Sequence, residues 1–177
     1  MATDQHIKSA IERAHKAIGL RSSLAVGTMT SSLRLEDGLK CRYTCGDWNL
    51  ELDEPESVGG EESAPMPGVY ALAGLSGCTA MTIKIQAILA GIKVDAVNLD
   101  IEADYDDSNM LGLNPGAPSS YTGFRLNVNV ESDAPEAEIR EVVQKALETS
   151  MWHAVFAGSQ SLVPSVRVTP TAQAAVS

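Results

Sequence analysis

Apolar residues recur at helical spacing near the start of the chain: Ile7, Ala10, Ile11, Ala14, Ala17 and Ile18 fall on one side of a wheel, opposite Lys8, Glu12, Arg13 and Lys16. The spacing predicts an amphipathic surface helix over residues 4–18, capped by Asp4 and stopped by Gly19. After Ser23 the period falls to two. Thr28, Thr30, Ser32 and Arg34 alternate with Met29, Ser31, Leu33 and Leu35. A Glu36-Asp37-Gly38 turn leads to a second strand at 39–45, and Gly46-Asp47 to a third at 48–52. These three runs predict an antiparallel meander.

Residues 53–66 are acidic and rich in Gly, Pro and Ser, the composition of a solvated loop. Pro67 then suits the first position of a long helix, because its missing N–H needs no partner there, and Gly91 suits the stop. The helix between them is apolar on nearly all sides and is expected to be central and buried. Two clean alternations follow. Val97, Leu99, Ile101 and Ala103 oppose Asn98, Asp100, Glu102 and Asp104; Phe124, Leu126, Val128 and Val130 oppose Arg125, Asn127, Asn129 and Glu131. Such strands have one packed face and one wet face. The link at 106–120 is expected to be a mobile loop. A further helix, capped by Asp133 and Glu136 with Pro135 in its first turn, buries Ile139, Val142, Val143, Ala146 and Leu147. A short apolar piece, MWHAVF, a strand at 162–168 and a loose tail complete the chain. Helices and strands are segregated rather than alternating, which predicts an α+β fold. The expected divisions are a helical extension at 1–22, one domain at 23–170 and a flexible tail at 171–177.

Composition narrows the function. The 177 residues are 44% hydrophobic but only 5% aromatic, so aliphatic side chains must fill the core. A formal net charge of −10 repels phosphate, and no Lys/Arg run is present. Nucleic acid and anionic membranes are therefore poor partners. Lys84 interrupts the long apolar run, against a membrane span. The amino-terminal segment lacks a signal peptide's apolar stretch, and the three cysteines do not make a disulfide scaffold. A cytoplasmic protein with free thiols is expected. No cofactor motif occurs, and the Cys41-x-x-x-Cys45 pair lacks further ligands at zinc spacing.

The chemistry centres on Cys78, within GLSGCTAMTIKIQAILAG at 74–91. A cysteine on an apolar helix is most simply a small core residue. Against this, Gly74, Ser76, Gly77, Thr79 and Ala80 are all small and leave space around the sulfur. Cys41 and Cys45 face one side of the second strand; one of them would approach Cys78 if that strand lay over the long helix, and otherwise both are packing residues. His153 either lines a cleft near Ser150 or caps the core beside Trp152.

The segment DEPESVGGEESAPMPGVYALAGLSGCTAMTIKIQA, with Pro67, Gly77, Cys78, Thr79 and Ala80, resembles the osmotically inducible protein C and organic hydroperoxide resistance (OsmC/Ohr) family, in a sub-branch with an extra amino-terminal helix. IEADYDD, VNVESDAPEAEIREVVQKA and the closing strand continue the likeness over most of 23–169. The resemblance implies antiparallel sheets around a long central helix, in an intertwined homodimer with its pocket at the subunit interface. It also implies a thiol peroxidase in oxidative stress defence, with Cys78 attacking organic hydroperoxides and an external dithiol as reductant. The family's arginine would be Arg34, or else Arg42. Gly68 and Val69 stand where the family has a glutamate, and Ser150-Met151-Trp152-His153 where it has a second cysteine. The alternative on the same fold is a module that binds a small apolar molecule around Cys78 without turnover.

Overall fold

The computed structural model describes residues 3–35 and 38–158. Along them run α1 (Asp4–Leu20), β1 (Ser32–Leu35), β2 (Cys41–Cys45), β3 (Trp48–Leu52), α2 (Pro67–Ala90), β4 (Ala96–Asp104), β5 (Gly123–Glu131), α3 (Glu136–Thr149) and α4 (Met151–Ala157). Both sheets are antiparallel, β1-β2-β3 and β4-β5, and the architecture is α+β as the order of elements predicts. The strand expected at 162–168, the tail from 171 and the turn residues Glu36 and Asp37 lie outside the described residues.

α2 keeps both predicted ends. Pro67 occupies its first turn, and Gly91 closes it in the left-handed region at φ 74°. At about 1.5 Å per residue it spans about 36 Å. Its buried spine is Leu75, Thr79, Ile83 and Ala87, one residue per turn. Ile83 and Ala87 meet Val94, Val142 and Ala146 in the core, with Val97, Val128 and Val130 packed against them. The main partners of α2 are α1, α3, α4 and β4. Its other side is uncovered: Met81 is 67% exposed, Ile85 37% and Leu89 44%. The expectation of burial on nearly all sides is thus corrected, because one chain supplies layers for one side only.

The meander has two chemically distinct faces. Cross-strand partners share a face, so Arg34 lies with Arg42 and Glu51, and Ser32 with Thr44 and Asn49. The other face carries Leu33, Tyr43 and Leu50, then Leu35, Cys41 and Leu52, then Cys45 and Trp48. β1 is shorter than the alternation from Thr28 predicts. Ser32 already pairs with Thr44 near the end of β2, and residues before it have no ladder left to join. Tyr70 at the start of α2 donates its hydroxyl to the Glu51 carbonyl at 2.9 Å, linking meander and helix.

Four smaller expectations change. Thr3, not Asp4, caps α1, accepting from the His6 N–H at 3.2 Å, and the helix continues one residue past Gly19. Asp4 instead pairs with Lys84 at 2.9 Å. The acidic loop is anchored rather than merely solvated: Asp53 is 2% exposed and accepts from the N–H groups of Glu54, Glu61 and Ser63 and from the Ser63 hydroxyl. Ser63, outweighing burial together with the Glu54 and Glu61 amides, holds the Asp53 carboxyl below its usual range. The 106–120 link is internally tied, with the Asn109 side-chain amide donating to the Pro115 and Ala117 carbonyls. At α3, Pro135 takes the cap position without a side-chain bond. Ser132 does the local work, accepting from Ala134 N–H at 3.1 Å and donating to the Lys93 carbonyl at 2.6 Å.

Candidate active site

The thiol of Cys78 stands on α2 beside the buried spine, partly accessible and not in a disulfide. The break between α3 and α4 faces it. There the backbone leaves the helical region at Ser150, and the chain restarts as α4. Ser150 is 1% exposed and does two jobs. Its Oγ accepts from the His153 N–H at 3.2 Å, capping α4, and donates to the Cys78 sulfur at 3.4 Å. Because the backbone N–H occupies an acceptor site of the hydroxyl, its proton is directed at the sulfur.

Two opposed effects set the ionisation of Cys78. Burial is the largest and disfavours the thiolate. Donors together outweigh it: the Ser150 hydroxyl first, then the Trp152 N–H, the Thr82 hydroxyl and the Met151 N–H. The net result is a thiol pKa below the ordinary value. In the neutral-thiol geometry the single Thr82 proton goes to the Cys78 carbonyl at 2.7 Å, so Thr82 can serve the sulfur only by giving up that bond, and Ser150 with the Trp152 and Met151 amides are the standing donors. A thiolate is the nucleophilic form of cysteine, so this arrangement favours attack on an electrophile. Thr79, the next residue of the motif, turns away into the core, fully buried and without a hydrogen-bond partner among the described residues.

The other expected residues are placed differently. No guanidinium is among the groups that lower the Cys78 pKa. Arg34 sits on the polar face of the meander opposite Arg42, and Arg42 is 3.8 Å from Glu51. Cys41 and Cys45 sit on the apolar face, their thiols directed at the carbonyls of Leu39 and Thr30. The arginines and cysteines of the meander therefore cannot both turn toward one sulfur. His153 enters through its backbone N–H. At position 68 a side chain would require the Tyr121 hydroxyl to shift, since a Cβ on Gly68 would lie 2.9 Å from it. No metal-ligating cluster of three or more His, Cys, Asp or Glu occurs among the described residues.

Sequence reading missed a row of aromatic rings. Trp152 and Phe156, four apart on α4, lie with ring centroids 6.0 Å apart; Phe156 meets Phe124 at 5.1 Å, Phe124 meets Tyr121 at 5.0 Å, and Tyr121 meets Tyr105 at 6.4 Å. The helical spacing of Trp152 and Phe156 was the available signal.

The family model described as OsmC-like protein matches residues 60–163. Among solved structures, an OsmC-like protein from Mycoplasma pneumoniae superposes with a TM-score of 0.62 at 15% identity, covering 75% of this chain and 89% of its own. An organic hydroperoxide resistance protein OsmC from Legionella pneumophila gives a TM-score of 0.52 at 22% identity, covering 75% and 91%. An uncharacterized protein of Haloferax volcanii is 27% identical over 112 residues, 63% of this chain and 74% of that protein.

Proposed function

The chain belongs to the OsmC-like protein family, and on that premise we propose that it is a thiol peroxidase reducing organic hydroperoxides in oxidative stress defence, with Cys78 as the attacking group. The observation that carries the reading is the contact between the buried Ser150 hydroxyl and a partly accessible sulfur whose pKa is lowered. The name of the Legionella pneumophila relative, organic hydroperoxide resistance protein, agrees with it. The thiolate attacks the terminal, OH-bearing oxygen of the peroxide; an S–O bond forms, the O–O bond breaks, and the alkoxide takes a proton from solvent to leave as the alcohol. Cys78 is left as a sulfenic acid. Position 150 offers a hydroxyl instead of a second thiol, so an external thiol reductant must return Cys78 to the reduced state.

The pH dependence of alkylation tests this. The rate for Cys78 with iodoacetamide is expected to level off at a pH below the ordinary thiol range, since it follows the thiolate fraction. Ser150→Ala removes the leading donor and should shift that profile upward. A wild-type rate that keeps rising through the ordinary thiol range marks an inert thiol and leaves the binding module as the better reading.

We also propose that the protein works as a homodimer. The uncovered stripe of Met81, Ile85 and Leu89 on α2 and the exposed Leu33, Leu35 and Trp48 of the meander are apolar surfaces that a second copy would cover. In that assembly Arg34 would approach a thiolate across the interface, since no arginine of the same chain is among the groups that act on Cys78. Light scattering at micromolar concentration should give twice the chain mass; a stable monomer contradicts the assignment.

A further inference from the structure

The row of aromatic rings begins one helical turn from the reactive cysteine. The Trp152 indole rests on α2 at Gly74, where an added Cβ would lie 3.5 Å from its Cε2. Gly74 and Cys78 share one face of the helix, a turn apart. From that indole the row runs through Phe156, Phe124 and Tyr121 to Tyr105. In a chain with 5% aromatics, it gathers both phenylalanines, one of two tryptophans and two of four tyrosines. The rings are not sealed in a core: Trp152 is 43% exposed, Phe124 36% and Tyr105 63%.

We propose that this aromatic wall sets the substrate class, favouring hydroperoxides that carry an aromatic ring next to the peroxide-bearing carbon. The inference rests on the peroxidase reading above. A substrate ring placed offset or edge-on against the Trp152 indole leaves its hydroperoxide group pointing along α2 to Cys78. Ring quadrupoles reward that arrangement beyond the apolar area it buries, by roughly two- to tenfold in rate for one well-placed contact. An alkyl group of similar bulk gains the area alone.

Cumene hydroperoxide and its cyclohexyl analogue, 2-cyclohexyl-2-propyl hydroperoxide, differ by a phenyl in place of an alkyl ring of similar bulk and make the test pair. Single-turnover oxidation of Cys78 is followed by quenching with a maleimide and mass spectrometry, and each rate is divided by that of a small free thiol with the same peroxide. The wild type should prefer cumene hydroperoxide by roughly two- to tenfold. Trp152→Leu should lose most of that preference, and Trp152→Phe should keep most of it. Phe124→Leu, on the sheet, provides a second loss should Trp152→Leu fail to fold. Equal normalised rates in the wild type, or a Trp152→Leu variant slowed alike for both peroxides, overturn the proposal while leaving the peroxidase reading standing. If neither peroxide oxidises Cys78, both fall together.

Discussion

Cys78→Ser is expected to reduce organic-hydroperoxide consumption to background, a loss of about a thousandfold or more. Cleaving an O–O bond needs a polarisable nucleophile that is ionised near neutral pH. The donors gathered at this site lower the pKa of a thiol; a serine hydroxyl lies so far above neutrality that the same donors leave it protonated. The replacement is nearly isosteric, and Cys78 is beside the buried spine of α2 rather than in it, so the fold should survive. Peroxide consumption coupled to a dithiol reductant, with circular dichroism as a control for folding, checks it. Turnover persisting in Cys78→Ser would move the chemistry to another residue.

Ser150→Cys should produce the second largest change. The Ser150 oxygen, itself buried, is 3.4 Å from the partly accessible Cys78 sulfur. A sulfur replacing that oxygen needs to close only to about 2.05 Å to form a disulfide. After one equivalent of peroxide, the wild type should carry a Cys78 sulfenic acid that dimedone traps. The variant should instead form a disulfide between Cys78 and the thiol introduced at position 150, resist dimedone and turn over with a dithiol. The bridge closes a long loop and would stabilise the oxidised protein by up to about 4 kcal/mol in a chain-entropy account. Peptide mapping reads the outcome directly. Dimedone labelling in the variant equal to wild type would show that position 150 does not face the sulfur in solution.

How much of this was legible in the sequence depends on the range of the interaction. The ends of α2 were legible because Pro67 and Gly91 act on their own backbone. The faces of β4 and β5 were legible because their alternation is local. The Ser150–Cys78 contact spans 72 residues, and no periodicity encodes it; only the family resemblance drew attention to position 150. Gly74 reads as space left around the sulfur, but the structure fills that space with the Trp152 indole. Asp53 belongs to a segment whose composition reads as solvated loop, and its burial depends on donors up to ten residues further on. Arg34 shows the limit of analogy. Its residue type is the one the family resemblance asks for, but the register of the meander sets which face it occupies.

The Lys84 ammonium ties together three distant parts of the chain, reaching Asp4 at 2.9 Å and the Val94 carbonyl at 2.6 Å. During translation the first helix is therefore complete long before its anchor exists. At about 5–20 residues per second, roughly 4–16 s separate the synthesis of Asp4 from that of Lys84. Through that interval the nascent helix has neither its charge partner nor the apolar surface of α2, and a solitary helix of this length is marginal in water. The first helix is thus made well before the residue that anchors it.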